Sequence, residues 1–196
     1  MLTGEFEWGN RPPTLTAARV ALRSLTEDDV PDLFGVFSDA EVMRYWDSPP
    51  LKSVADASAL FREIREGFET RRLFQWGISD LPSDRVIGTC TIWRVDRAHR
   101  RAEIGFALGR PHWGKGLAAE ALGVLVAFAF QELDLHRLEA DVDPRNDRSL
   151  GLLERHGFKR EGLLRERYHV DGEIQDAVVL GLLRWEWSRA AGRSRP

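Results

Sequence analysis

The chain has 196 residues, a formal net charge of −3, 43% hydrophobic and 30% charged residues. That is the balance of one soluble globular domain, and it argues against a nucleic-acid binder or a membrane-surface protein. No apolar stretch approaches the ~18 residues of a membrane span. The start, MLTGEFEWGN, lacks the basic and apolar regions of a signal peptide, so a cytoplasmic protein is expected. Cys90 is the sole cysteine and sits in an apolar run, which excludes an internal disulfide and reads as core. The five histidines show no metal-ligand spacing, so no metal is expected.

Residues 1–18 carry Gly4, Gly9, Pro12 and Pro13 without a clear period and read as an extension. Arg19 to Leu25 alternates as a first strand. Thr26 followed by three acids marks a helix start, with Val30, Leu33, Phe34 and Phe37 on its apolar face. An aromatic connection, Met43 to Trp46, leads to a second helix capped by Ser53. Leu73–Ser79, Val86–Arg94 and His99–Leu108 read as three adjacent antiparallel strands. A long helix follows to about Leu133. The strand Arg137–Val142 is then reached by a helical crossover, which predicts parallel pairing with its predecessor. Asn146–His156 is a helix stopped by Gly157. Phe158–His169 and Ile174–Trp185 form a hairpin around Asp171-Gly172, and Ser188–Pro196 reads as a polar tail. The domain itself spans 19–187, between the extension and the tail of 188–196.

The stretch Arg110–Ala118, RPHWGKGLA, joins a strand to the long helix and carries Gly114 and Gly116. Glycine lets backbone approach a ligand closely. The first amides of a helix have no internal partner and favour an anion. The stretch therefore predicts a phosphate cradle. Gly114 to Ala119 also fits the dinucleotide pattern G-x-G-x-x-A, with acids about 20 residues on. Against that reading, Gly109–Trp113 separate the strand from the first glycine, and the chain after Val142 spells one helix and a hairpin. The phosphate-loop pattern fails, because no hydroxyl residue follows a Gly-Lys pair.

The order of elements and motifs resembles the GNAT superfamily of N-acetyltransferases over about Arg19 to Trp187. That family's signature is [QR]-x-x-G-x-[GA], and Gly116 and Ala118 match it while Trp113 stands where Arg or Gln is usual. The departure is familiar in the ribosomal-protein N-terminal (alanine/serine) acetyltransferase branch, whose loops resemble PxWGKGLA. Further echoes are Arg101-Ala102-Glu103-Ile104-Gly105, Asn146-Asp147-Arg148-Ser149, Gly157-Phe158, Glu161-Gly162, Gly172 and Asp176. The resemblance implies a mixed α+β, GNAT-like acyl-CoA N-acyltransferase fold. Its splayed, mostly antiparallel sheet would have about seven strands, flanked by about four helices. It also implies acetyl-CoA as cosubstrate, in the splay between the His99–Leu108 and Arg137–Val142 strands, and transfer to an amine by direct attack. A protein or peptide N-terminal amine is the favoured acceptor. Polyamines, amino acids or an amine antibiotic are the alternatives, and a non-catalytic acyl-CoA sensor is the rival of another class. The resemblance leans towards a homodimer.

Roles follow residue by residue. The backbone of Trp113, Gly114, Lys115, Gly116, Leu117 and Ala118 is expected to hold the pyrophosphate. Lys115 adds a charge there, or simply faces solvent. The resemblance implies that strand backbone at Phe106, Ala107 and Leu108 pairs with the pantetheine arm, and that Asn146 contacts that arm or caps its helix. Glu103 is the candidate base, because both faces of its strand are otherwise small or apolar and a buried carboxylate is costly unless used. It is otherwise solvent-facing, or bound to Arg94 or Arg101. The resemblance points to Ser149 as the acid for the departing sulfur, against plain helix capping. A tyrosine acid four residues before Gly157 is excluded, because that position is Leu153. Tyr45, Trp46, Tyr168 and His169 are expected to line the amine site, or else to be ordinary packing.

Overall fold

A computed structural model describes residues 7–193; residues 1–6 of the expected extension and 194–196 of the expected tail lie outside the described chain. The strands are β1 (Leu15–Thr16), β2 (Val20–Arg23), β3 (Leu73–Asp80), β4 (Val86–Asp96), β5 (Arg101–Leu108), β6 (Arg137–Val142), β7 (Lys159–Val170) and β8 (Glu173–Leu183). The helices are α1 (Val30–Phe37), α2 (Ala40–Met43), α3 (Val54–Glu69), α4 (Leu117–Gln131), α5 (Asp147–Arg155) and α6 (Arg184–Arg193). All eight strands form one sheet in the order β1-β2-β3-β4-β5-β6-β8-β7. Every pairing is antiparallel except β5 with β6, where the α4 crossover forces parallel strands.

The eighth strand is β1, two residues paired with β2 and too short to show alternation. The extension is not separate from the domain. Trp8 stacks on Phe74 with ring centroids 3.8 Å apart, and Trp76 Nε1 donates to the Pro13 carbonyl at 2.8 Å. The C-terminal stretch also departs from expectation. The last strand stops at Leu183, and helix α6 runs from Arg184 where a strand end and a polar tail were expected. The Glu186 carboxylate takes the Leu183 amide at 3.2 Å, and Trp187 packs on Phe130 at 5.5 Å between centroids. The arginine-rich composition concealed this anchored helix.

Helix α4 buries Leu117, Ala121, Leu122, Leu125, Phe128 and Ala129 against one face of the sheet. On the other face, α1 and α3 bury Val30, Leu33, Val36, Phe37, Ala57 and Phe61 with Ala107 of β5. Ser53 and Asp56 cap α3 reciprocally, as its sequence predicts. No helix among the described residues is long and apolar enough to cross a membrane.

One irregularity positions the site. Strands β5 and β6 pair only at Arg101↔Arg137, Ala102↔Leu138 and Glu103↔Glu139. Beyond that they part, although β5 stays paired with β4 to Leu108 and β6 with β8 to Val142. The last paired position sets two glutamates side by side, an unfavourable arrangement for a sheet unless each is compensated. Arg94 compensates Glu103, while Arg101 and Arg137 compensate Glu139.

Candidate active site

The loop after β5 turns back on the strand that feeds it. A single 3-10 turn, Arg110–His112, leads to Trp113, whose Nε1 donates to the Leu108 carbonyl at 2.6 Å. Of the expected strand partners, Leu108's carbonyl is thus already engaged from within the loop. The Arg148 guanidinium lies 4.7 Å from the centroid of the Trp113 ring and ties the loop to α5.

Gly114 and Gly116 have φ of 72° and 78°, a left-handed backbone that costs other L-residues roughly 1–2 kcal/mol. Gly116 precedes α4 without a side-chain cap, so the amides of Leu117 and Ala118 have no partner within the helix. A Cβ on Gly116 would come within 3.2 Å of Arg19 Nη2. Arg19 is held there by Glu120, its Nε 2.6 Å from Oε1 and its amide 2.8 Å from Oε2. Arg19 is a cation beside the loop that sequence reasoning missed, because nothing near it in the chain marks it. Lys115 is exposed. Burial, helped by Lys115, lowers the His112 imidazole below its ordinary value, so it is neutral at pH 7. The geometry fits an anion cradle: unpartnered amides, two forced glycines and two nearby cations.

Where β5 and β6 part there is a cavity of about 120 Å³. That is room for reacting ends rather than for a whole cofactor. Ile104, Gly105 and Phe106 form its β5 wall, and residues 140–143 the β6 wall. Asn146, Ser149 and Leu153 enter from α5, Tyr45, Trp46 and Asp47 from the segment after α2, Trp93 from β4, and Tyr168, Gln175 and Asp176 from the hairpin. The fold thus brings together Phe106, Asn146, Ser149, Tyr45, Trp46 and Tyr168 of the expected residues. Glu103 and Ala107 are outside this lining, and His169 is exposed on the hairpin. A larger open depression of about 600 Å³ lies among Arg23, Asp29, Asp84 and Arg85 and contains none of the expected site residues.

Asn146 Oδ1 accepts the Ser149 amide at 3.1 Å, so Asn146 is the cap of α5. Ser149 is therefore not the cap of α5, and it lines the cavity. Glu103 is engaged on both oxygens: Arg94 Nη1 is 3.0 Å from Oε1, and Trp93 Nε1 donates to Oε2 at 3.1 Å. Two further carboxylates, Asp141 and Asp143, line the cavity, although the sequence offered them only as ribose acids for the dinucleotide pattern. Asp141 Oδ2 accepts from Tyr168 Oη at 3.2 Å and Arg167 Nε at 3.3 Å. Asp143, buried, is clasped by Arg145 through both oxygens. Burial alone would raise the Asp143 carboxyl, but those bonds hold it below the ordinary carboxylate value. Burial pushes the Cys90 thiol up, away from any nucleophilic role.

A splayed sheet with a glycine cradle at one end of the gap, and within it a cavity of aromatic, apolar and carboxylate side chains, defines an acyl-CoA-dependent transferase. The family model described as an acetyltransferase (GNAT) domain matches residues 19–159. N-acetyltransferase p20 of Bacillus licheniformis is 37% identical over 175 residues, covering 89% of this chain and 98% of that protein. The [ribosomal protein uS5]-alanine N-acetyltransferase of Escherichia coli is 31% identical over 126 residues, 64% of this chain and 65% of that one. A crystal structure of spermidine N-acetyltransferase from Vibrio cholerae, in complex with CoA and spermine, superposes with TM-score 0.76 at 24% identity, covering 87% of this chain and 98% of that one. The chain belongs to the GNAT acetyltransferase family and is an acetyl-CoA-dependent N-acetyltransferase.

Proposed function

We propose that the protein transfers the acetyl group of acetyl-CoA to an N-terminal amine of a protein or peptide, in the cytoplasm. The observation that carries the reading is the position of the cavity. It lies in the β5–β6 gap, between the exposed Asp47 region and the β7–β8 hairpin, and is open to a chain end arriving from solvent. The likeness to the uS5-alanine N-acetyltransferase supports it. The acid lining of the cavity, with Asp47, Asp141, Asp143 and Asp176, favours a second reading in which the acceptor is a small polyamine.

In either case the chain's own residues divide the work. The amides of Gly116–Ala118, with Arg19 and Lys115, hold the pyrophosphate, and Trp113 locks the loop to β5. The free edge of β5 at Phe106–Ala107 aligns the pantetheine arm, and positioning of this kind can contribute roughly 7–11 kcal/mol. Ser149 donates to the departing sulfur. Tyr45, Trp46 and Tyr168 form the acceptor walls. Glu103 accepts from Trp93 Nε1 and pairs with Arg94, which holds Trp93 in place. A thiol-release assay with acetyl-CoA tests the acceptor. N-terminal Ala and Ser peptides should be turned over with higher kcat/KM than spermidine, free amino acids or aminoglycosides. Preference for spermidine would favour the second reading.

A further inference from the structure

We propose that Asp141 is the carboxylate that receives the acceptor's ammonium group and takes its proton. The inference rests on the reading of the cavity as the acetyl-transfer site. Asp141 lies on β6 two residues beyond Glu139, the last position paired with β5, and alternation puts both on one face. The corresponding residue on β5 is Gly105. A Cβ there would meet nothing within 4 Å, so the space beside Asp141 is open. The Asp141 side chain is only 11% exposed. Tyr168 and Arg167 both bond Oδ2, and the residue itself lines the cavity.

The hairpin is built to hold this carboxylate. Adjacent residues of a regular strand point to opposite faces, so Arg167 and Tyr168 could not both reach one oxygen. They do so because β7 slips against β8 between Leu164 and Tyr168. The slip is a bulge with Glu166 at φ 54°, and the Glu166 amide is pinned to Asp176 Oδ1 at 2.7 Å. Burial first, and then Asp141, raise the Tyr168 phenol, so Tyr168 stays a donor. Glu103, by contrast, is outside the cavity lining, where Trp93 and Arg94 hold it.

The step balances as follows. Asp141 Oδ1 accepts one proton from the ammonium. The freed lone pair forms the C–N bond to the acetyl carbonyl carbon, and the C–S bond breaks. The sulfur receives a second nitrogen proton through the Ser149 hydroxyl, and the proton on Asp141 leaves to water. The products are the acetamide, free thiol and one released proton.

The test compares wild type, Asp141→Asn, Glu103→Gln and Tyr168→Phe on the best acceptor from the amine panel. Asp141→Asn should lower kcat/KM for the amine about 100-fold, in the range of general base catalysis. Its acetyl-CoA affinity by calorimetry should stay within about twofold of wild type, which also shows that it folds. Glu103→Gln should lose less than about tenfold. Tyr168→Phe should lose about tenfold, mainly through acceptor KM, because it removes one of two bonds that orient the carboxylate. If Asp141→Asn does not fold, Tyr168→Phe decides, and wild-type kinetics in it overturn the proposal. Near-wild-type turnover by a folded Asp141→Asn also overturns it, while leaving the acetyl-transfer reading intact. A wild-type protein that binds acetyl-CoA but acetylates no amine in the panel overturns both.

Discussion

The glycine loop and the cavity adjoin the same gap in the sheet but are built by different means. The loop is one contiguous stretch, and its function lies in backbone amides and two left-handed glycines. The cavity is assembled from six separate segments, and its function lies in side chains. A backbone site tolerates side-chain change and breaks when its dihedral angles are forbidden. A side-chain site breaks when any one of the elements that support it moves.

Five substitutions sharpen that contrast. Leu153 is fully buried in α5 and also touches the cavity, so Leu153→Ala should cost about 2–5 kcal/mol of stability. Chemical denaturation measures this, and acetyl-CoA affinity per folded molecule should change little if the loop is independent. Gly116→Val should act in reverse. Left-handed strain of about 1–2 kcal/mol, with a Cβ near Arg19, should weaken CoA binding about tenfold or more by calorimetry. Gly114→Ala, where a Cβ meets nothing, should show only the strain. Ser149→Ala should lower kcat about tenfold, at the lower end for a proton-transfer group. Asn146→Ala should cost about 1 kcal/mol of stability by removing the α5 cap.

The smallest effect expected is on pH dependence. The Asp143 carboxyl is held below its usual 3.8 in the folded chain, so its contribution is present above that pH and is lost as pH falls through the folded value. In Arg145→Ala the buried carboxylate loses that support. Thermal melts of the two proteins should differ at pH 7 and converge towards pH 3. Arg145 is half exposed, which keeps the difference small.

Short-range chemistry determined much of this protein. The helices from Ser53 and Asn146, the hairpin at Asp171-Gly172 and the cradle at Gly114–Ala118 are dictated by caps, turns and periodicity within a few residues. These could be read without a fold. Arg19, Asp141 and the docking of α6 could not, because each depends on partners far away in sequence: Glu120, the bulged hairpin, and Phe130. Glu103 was read from sequence as a candidate base or a partner of Arg94 or Arg101, and the packed sheet sets Arg94 and Trp93 on its two oxygens. The glycine turn before the long helix could be read from sequence alone, since a backbone cradle is contiguous in the chain. Which carboxylates line the gap was decided by tertiary structure, since it depends on where two strands part and on which side chains the bulge turns inward.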